Sequence, residues 1–377
     1  MTRDAPDRLC APGAVDFLVL GGGPAGSAFA ILAARAGASV AIVERHGFAD
    51  DRPGEQIAGA VRGALDALAI PAAAGASLSA PSHGIVSLWA GEAPLIKAYR
   101  SLGQPEALRV VRNRFDAMLF EIAQMAGAFV FVPATLHSAS RRRGGTWQAM
   151  VAVEGHHIPL SAATIVDATG RVAAFSRGQD AQRNNHGDMF ALVAWLRATL
   201  RGHGGMLSIE ACPCGWWSAA ATPNEQLVVS LFTSAGMIKS ARADLDNWWR
   251  GVLSTAPYTR QLVCRSDVRS GRMRVFPVFP SISTRMHGHG WIAVGDAAAA
   301  FDPLSGQGVE FALESAFRAF EAMSAGDGSA KLGPLYQSAI TDRYRRQLMR
   351  RAEVYAEAAD SLSTAFMVNA VGTVAAS

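Results

Sequence analysis

Cysteine is scarce in this chain, and long apolar segments are missing from it. Only four of the 377 residues are cysteines, and only Cys212 and Cys214 lie close together. Sparse cysteines of this kind are typical of a reducing compartment, and they offer neither a disulfide framework nor the second ligand pair of a zinc site. No stretch reaches the roughly 18–20 apolar residues of a membrane helix. We therefore expect a cytoplasmic protein with no membrane span and no metal.

Charged residues are also few, at 18% of the chain, while half of the residues are hydrophobic. This composition excludes wholesale disorder and allows a substantial core. The net charge of +4 tolerates an anionic cofactor but gives no argument for a nucleic acid partner. The length suits one large α/β domain that carries an inserted second domain.

A glycine motif, Gly21-x-Gly23-x-x-Gly26, stands between a predicted strand at 16–20 and a predicted helix at 25–35. The first glycine allows a tight turn, the second lets the backbone approach a pyrophosphate, and the third lets the helix pack on the strand. A lone match of this kind is weak, but here the flanking strand and helix are both in place. The motif therefore predicts a dinucleotide site.

Residues around this motif extend the predicted site. Pro24 and Ala25 open the helix, whose unpaired N–H groups and dipole favour a phosphate. Glu44, followed by Arg45, closes the next predicted strand at 39–44, about 20 residues on, where an acid accepts hydrogen bonds from ribose hydroxyls. These features predict an adenine dinucleotide but do not separate FAD from NAD.

A second segment, residues 295–309, favours FAD. It begins with Asp296 directly after a predicted strand at 291–294, where a carboxylate can accept a hydrogen bond from a ribityl hydroxyl. Backbone N–H groups at the start of the following helix can hold the pyrimidine edge of an isoalloxazine ring. The turn and helix start contain Pro303, Gly306, Gly308 and Val309.

The order of predicted elements indicates an α/β protein with a Rossmann-like FAD-binding domain in three pieces, an inserted sheet-based substrate domain and C-terminal helices. The basic cluster between Arg343 and Arg351 is interpreted as a solvated helix face. The predicted domains are 1–77, 99–184 and 276–330 for FAD, 78–98 and 185–275 for the substrate, and 331–377 for the C-terminal helical segment.

The glycine loop, Asp302-Pro-Leu-Ser-Gly306 and Asp167-Ala-Thr-Gly-Arg171 together resemble the FAD-dependent oxidoreductases of the para-hydroxybenzoate hydroxylase fold. The branch that looks most similar contains flavin-dependent tryptophan halogenases, geranylgeranyl reductases, and the monooxygenases that mature quinone-cofactor amine dehydrogenases. The resemblance implies that Arg112 contacts the cofactor. It also implies that Glu55, in the Gly-Glu element after the second strand, either positions the flavin or acts as an acid or base.

The same resemblance places the central strands of the substrate domain around Gly215-Trp216-Trp217 and Leu227–Phe232. Trp216, Trp217 and Phe232 are therefore the candidate substrate-lining residues. The two tryptophans alternate on one strand, so at most one of them faces the site.

The chain departs from halogenases of this branch, which carry a lysine about 25–30 residues after the Gly-Glu element. The window 80–89 contains none, and Lys97 looks misplaced. We therefore expect hydroxylation of an electron-rich aromatic, on a small molecule or a peptide side chain, through a C4a-hydroperoxyflavin. A reductase or dehydrogenase acting by hydride transfer is the alternative, and a halogenase ranks lower. Without a second glycine loop, electrons come either from transiently bound NAD(P)H or from a separate flavin reductase.

Overall fold

Two large β-sheets, two small sheets and nine helices form the part of the chain that the structure describes. The structure is a computed structural model, and it describes residues 12–71, 79–91, 93–198, 205–264, 266–324, 329–362 and 366–368. The larger part of the core lies between the first sheet and its flanking helices. A mixed α/β fold with a Rossmann-like parallel core is therefore confirmed.

The first sheet has a parallel core whose strands are largely apolar where they pair with one another, because helices or loops cover both faces. Leu18 and Val19 of the first strand are fully buried. The core order is Trp291–Ala293, His156–Asp167, Ala14–Leu20, Val40–Val43 and Phe129–Phe131. Antiparallel strands at His287–Gly288, Trp147–Val153 and Ala134–Arg141 complete the sheet. Of these three strands, only Trp147–Val153 corresponds to a strand predicted from the sequence, at 146–153.

The second sheet is mostly antiparallel, and it separates two smaller apolar clusters. One face packs against the helices Leu245–Leu253 and Pro257–Cys264. The other face meets the C-terminal helix. Its strand order is Ser266–Pro277, Met189–Ala198, Gln226–Ser234, Gly215–Ala221, Leu207–Cys212, Gly84–Leu88 and Leu95–Ala98.

The remaining elements connect these sheets. One small sheet contains Gln56–Ile57, Ala107–Val110 and Ser79–Ser82, and the other contains Arg183–Asn185, Ser281–Ser283 and Ala299–Ala300. The other helices are Pro24–Arg35, Val61–Ala67, Arg112–Met125, Ala174–Arg177, Ala235–Ser240, Gly308–Ser324 and Ser329–Leu362. The strand Ser79–Ser82 pairs outside the second sheet, whereas the prediction assigns it to the substrate domain. The domain boundaries themselves stay a prediction.

The C-terminal helix, Ser329–Leu362, packs across both large sheets. The Tyr336 hydroxyl donates a 2.6 Å hydrogen bond to the carbonyl oxygen of Ala293 in the first sheet. Tyr355, near the other end, is fully buried against the second sheet. None of the described helices is both long and apolar enough to cross a membrane.

Candidate functional site

The glycine loop is fixed by close backbone contacts at two of its three glycines. Gly21 has φ of +104°, and a Cβ there would lie 2.3 Å from the Ala168 carbonyl oxygen. A Cβ on Gly26 would lie 1.9 Å from the carbonyl oxygen of Gly21, so the helix could not pack this closely on the strand. Gly23 differs, because a Cβ there would meet nothing within 4 Å. The open side of Gly23 is therefore where a pyrophosphate can approach the backbone.

Glu44 ties the end of the second strand to the glycine loop. Its carboxylate accepts hydrogen bonds from the backbone N–H of Gly22 at 2.7 Å and of His46 at 2.8 Å. The side chain is buried, and the residue lines a cleft together with Pro24 and Arg45. Since a carboxylate has about four lone-pair sites, oxygen lone pairs remain for ribose hydroxyls.

The second predicted cofactor segment lines the same cleft, next to the start of the first helix, since a Cβ on Gly295 would lie 2.8 Å from the Ala25 Cβ. Gly295 has φ of +58°, and its N–H donates a 2.8 Å hydrogen bond to Ser315 Oγ, which anchors the turn to the following helix. Asp296 forms a 3.4 Å ion pair with Arg171 and remains partly exposed. Gly306 has φ of +62° and ends the 3₁₀ turn Pro303–Ser305, before the helix begins at Gly308.

Asp302, which precedes that turn, is held by the C-terminal helix. Its carboxylate accepts a 2.7 Å hydrogen bond from Arg351 Nε, and both side chains are 6% exposed. The Tyr355 hydroxyl lies 3.4 Å from both carboxylate oxygens and accepts a 2.9 Å hydrogen bond from Trp216 Nε1. Burial and the neighbouring Asp302 carboxylate raise the pKa of Tyr355, so its hydroxyl keeps its proton.

This network corrects the interpretation of the basic cluster as a solvated face. Arg350 is exposed there, but Arg351 is buried, and Arg343 forms ion pairs with Glu310 and Glu314. Helical periodicity places Arg351 on the buried stripe of Tyr344, Leu348 and Tyr355, whereas Arg350 lies off that stripe, so the interpretation of the whole cluster as one solvated face overlooked this spacing.

Arg112 and Glu55 lie side by side at the edge of the cleft. The Arg112 guanidinium donates to both carboxylate oxygens of Asp116, each at 3.2 Å, and to the Pro53 carbonyl oxygen at 3.0 Å. Glu55 is buried and accepts a 3.0 Å hydrogen bond from the Gly54 N–H. Burial raises the pKa of Glu55, although that hydrogen bond and Arg112 oppose the effect.

The opposite wall of the cleft is the inner face of the second sheet. Trp216 and Phe232 are register partners whose rings stack with centroids 3.8 Å apart and planes inclined by 11°. The placement of Trp217 corrects the prediction that it lines the substrate space. Because strand residues alternate in direction, its ring faces the helices and packs edge-on against Trp249 at 5.4 Å.

One cleft of about 950 Å³ joins all of these groups. Every residue predicted for the cofactor, catalytic or substrate site lines it, except Gly26 and Trp217. Sequence reasoning missed several lining residues, including Gln56, Tyr99, Ser218 and Ser230, because nothing in their local pattern differs from ordinary strand or loop sequence. An open glycine backbone at a helix start, a carboxylate at the next strand end and a second helix N-terminus in the same cleft fit an FAD molecule.

Comparison with known proteins agrees with this fit. Residues 16–178 match the family model of FAD dependent oxidoreductases. LodB of Marinomonas mediterranea, described as an FAD-dependent oxidoreductase, is 26% identical over 343 residues, which are 90% of this chain and 92% of that protein.

Two solved structures share the fold. CmlS, a flavin-dependent halogenase, superposes with a TM-score of 0.85 at 20% identity, and the match covers 92% of this chain but 66% of that one. The peptidyl tryptophan dihydroxylase QhpG superposes with a TM-score of 0.76 at 22% identity, over 95% of this chain and 78% of that one.

The fold and site thus define a flavoprotein with a Rossmann-like cofactor domain. Residues 16–178 thus match the FAD-dependent oxidoreductases, and the chain as a whole is similar to proteins of the branch that the sequence resemblance indicates.

Proposed function

We propose that this protein is an FAD-dependent monooxygenase that hydroxylates an electron-rich aromatic ring. The observation that carries the proposal is the single cleft in which the FAD-binding loops face an apolar sheet wall built around the Trp216–Phe232 stack. Bound FAD, once reduced, supplies the electrons for oxygen activation. The chain's own task is to hold the ring against this wall and to keep water away from the reacting atoms.

Glu55 is the proposed acid or base within the cleft. Its buried carboxyl has a raised pKa and can therefore hold a proton nearer to neutral pH than an exposed glutamate does. Arg112 lies beside it, and three of its five N–H donors are bonded to Asp116 and to the Pro53 carbonyl oxygen, which leaves two for the cofactor. We assign Arg112 the role of shaping the cofactor loop.

Hydroxylation is favoured over halogenation by the charges in the cleft. The resemblance to halogenases implies a lysine in the reaction space, whereas none of the described residues that line the cleft is a lysine. Lys97 lies exposed on the edge strand Leu95–Ala98. The likeness in fold to QhpG supports a peptide side chain as one of two substrate forms, and a small aromatic molecule is the other.

The test is incubation of the FAD-loaded protein with reduced flavin, oxygen and a panel of phenols, indoles and tryptophan-containing peptides. Mass spectrometry should show products that have gained one oxygen atom, in excess of what added hydrogen peroxide alone produces. If only peroxide accumulates with every aromatic, the proposed monooxygenase activity is wrong.

Two arms of the same experiment separate the alternatives. Turnover without oxygen, with a reduced flavin that is long-lived in air, would indicate the reductase or dehydrogenase. Product that depends on bromide or chloride would indicate a halogenase.

The electron donor is identified by replacing reduced flavin with NADPH or NADH, with and without a flavin reductase. We propose that the donor is either transiently bound NAD(P)H or such a partner.

A further inference from the structure

Two serines stand side by side in the apolar wall of the cleft. Ser218 and Ser230 are register partners on the neighbouring strands Gly215–Ala221 and Gln226–Ser234. They follow the stacked pair Trp216 and Phe232 at a spacing of two residues, so all four side chains share the inner face of the sheet. Both serines line the cleft, and they are 8% and 2% exposed.

The hydroxyl groups of these serines are not used within the protein. Neither Ser218 Oγ nor Ser230 Oγ has a hydrogen-bond partner among the residues that the structure describes. Ser208, a buried serine of the same sheet, differs because its hydroxyl donates a 3.1 Å hydrogen bond to the Ala219 carbonyl oxygen. Neither oxygen is among the fully buried side-chain atoms that lack a partner, so both hydroxyls open to the cleft, where a ligand can complete their hydrogen bonds.

The surroundings of the pair restrict the chemistry of that ligand. The described second-sheet residues that line the cleft carry no charge, and the N–H of Trp216 is already bonded to Tyr355. The apolar and aromatic members of this wall are Ile85, Leu207, Ile209, Trp216, Phe232 and Phe276. An ionised carboxylate or ammonium group placed here would lose its hydration without gaining a partner of opposite charge.

We propose that Ser218 and Ser230 form the recognition point for one uncharged hydrogen-bonding group on the aromatic substrate, such as a ring N–H or a phenol hydroxyl. Each serine can donate one hydrogen bond and accept others, so the pair accommodates either kind of group. The charged parts of the substrate, such as a carboxylate, and the strongly polar backbone of a peptide then lie outside this wall. The inference rests on the proposed function, because it names the class of ring that the monooxygenase would accept.

The test measures binding separately from turnover. FAD-loaded protein is titrated with indole and with N-methylindole, and dissociation constants are taken from the change in the absorbance of bound FAD. The wild-type protein should bind indole about 3–10-fold more tightly, because only indole has an N–H for the serines. Ser218→Ala and Ser230→Ala should each reduce this preference, and the double variant should abolish it without weakening the binding of N-methylindole.

Ser208→Ala is the matched control, since it removes a buried serine hydroxyl from the same sheet at a position that does not line the cleft. It should retain the wild-type preference for indole. Indole-3-acetate adds a charge to the same ring, and it should bind more weakly than indole if its carboxylate enters the wall.

The outcomes separate this inference from the proposed function. If the double variant keeps the wild-type preference for indole, or if wild-type protein binds neither ring, the serine recognition point is wrong. If binding depends on the serines but no ring gains oxygen, the recognition point stands and the proposed monooxygenase activity fails.

Discussion

Glu44 shows how one carboxylate can shape a cofactor loop before any cofactor contact is made. The Glu44 carboxylate accepts hydrogen bonds from the backbone N–H groups of Gly22 and His46, which would otherwise be unpaired at the turn. Glu44→Gln replaces one acceptor oxygen by an amide group that can only donate. We expect FAD to bind about 10–100-fold more weakly, because hydrogen bonds to a charged acceptor are lost on the loop that holds the pyrophosphate.

Fluorescence titration of the variant with FAD measures this effect. Glu121→Gln is the control, since Glu121 is exposed on a neighbouring helix. Equal FAD affinity for wild type and Glu44→Gln would show that the carboxylate is not needed at this position.

Glu55 should make the stability of the protein depend on pH. Its folded-state pKa is raised above the ordinary value of 4.5, chiefly by burial, so the folded state binds more protons than the unfolded state once the pH exceeds that value. The free energy of unfolding therefore falls as the pH rises from 4.5 to the folded-state pKa of Glu55. The loss is about 1.4 kcal/mol for each unit by which the folded-state pKa exceeds the unfolded one. Glu55→Gln cannot ionise and should escape the loss.

Denaturant unfolding of the FAD-loaded wild type and variant, between pH 4 and pH 8, measures the difference. The variant should gain stability relative to wild type as the pH rises, and the two should converge at low pH. A difference between them that is constant with pH would contradict a raised pKa.

For single residues, the sequence predicts the role correctly where that role follows from the residue's place in a motif. Gly21, Gly23 and Glu44 all line the predicted cleft for this reason. It failed for Ser218 and Ser230, because a serine in a strand becomes informative only when its neighbours across the sheet are known.

The strand–loop–helix unit allows a matched pair of glycine substitutions. Gly26→Ala would force a Cβ against the Gly21 carbonyl oxygen and should destabilise the fold by about 1–3 kcal/mol or more. Gly23→Ala meets no protein atom within 4 Å, so the fold should keep nearly its wild-type stability. Its methyl group would stand where the pyrophosphate approaches, and we expect FAD binding to fall at least 10-fold.

Thermal unfolding without added FAD, followed by FAD titration, distinguishes the two variants. The expected pattern is a lowered melting temperature for Gly26→Ala and weak binding without instability for Gly23→Ala. Similar FAD affinity for Gly23→Ala and wild type would argue against phosphate binding at this loop.

The C-terminal helix should contribute to stability through its buried contact with the second cofactor segment. Arg351→Met leaves the Asp302 carboxylate buried without its cation, and it should cost about 3–5 kcal/mol. The double variant Asp302→Asn, Arg351→Met should lose less than the sum of the two single losses. Denaturant unfolding of all four proteins measures this coupling, and strictly additive losses would contradict it.

At the scale of elements, apolar runs and glycine turns in the sequence predict most strands and helices of the first sheet. The strand Ala134–Arg141 escaped prediction because its outward residues are polar and its apolar alternation is weak. The role of the last helix also escaped, because the partner of Arg351 lies 49 residues away in the chain.

The whole molecule should be markedly more stable with FAD than without it, because the cleft brings together groups from both large sheets and the loops between them. Ligand at 100 times its dissociation constant adds about 2.7 kcal/mol to the stability of the folded state. Removal of FAD should therefore lower the melting temperature by several degrees. Gly23→Ala, measured by differential scanning fluorimetry in the same way, should show a clearly smaller shift, because a tenfold weaker affinity leaves about 1.4 kcal/mol of this stabilisation.

The pairing of the first strand sets a limit on when the site can form during protein synthesis. Phe17 is the register partner of Val40 on one side and of Thr164 on the other, and Ile165 pairs in turn with Trp291. Contacts of such long sequence separation form slowly, because a large loop must close before they add stability. The ribosome therefore releases the glycine loop and the strand Val40–Val43 long before the other neighbour of the first strand, His156–Asp167, exists. FAD meets a complete binding surface only after the segment around Trp291 has been translated, and the nascent first strand keeps an open edge until the strand His156–Asp167 has been translated.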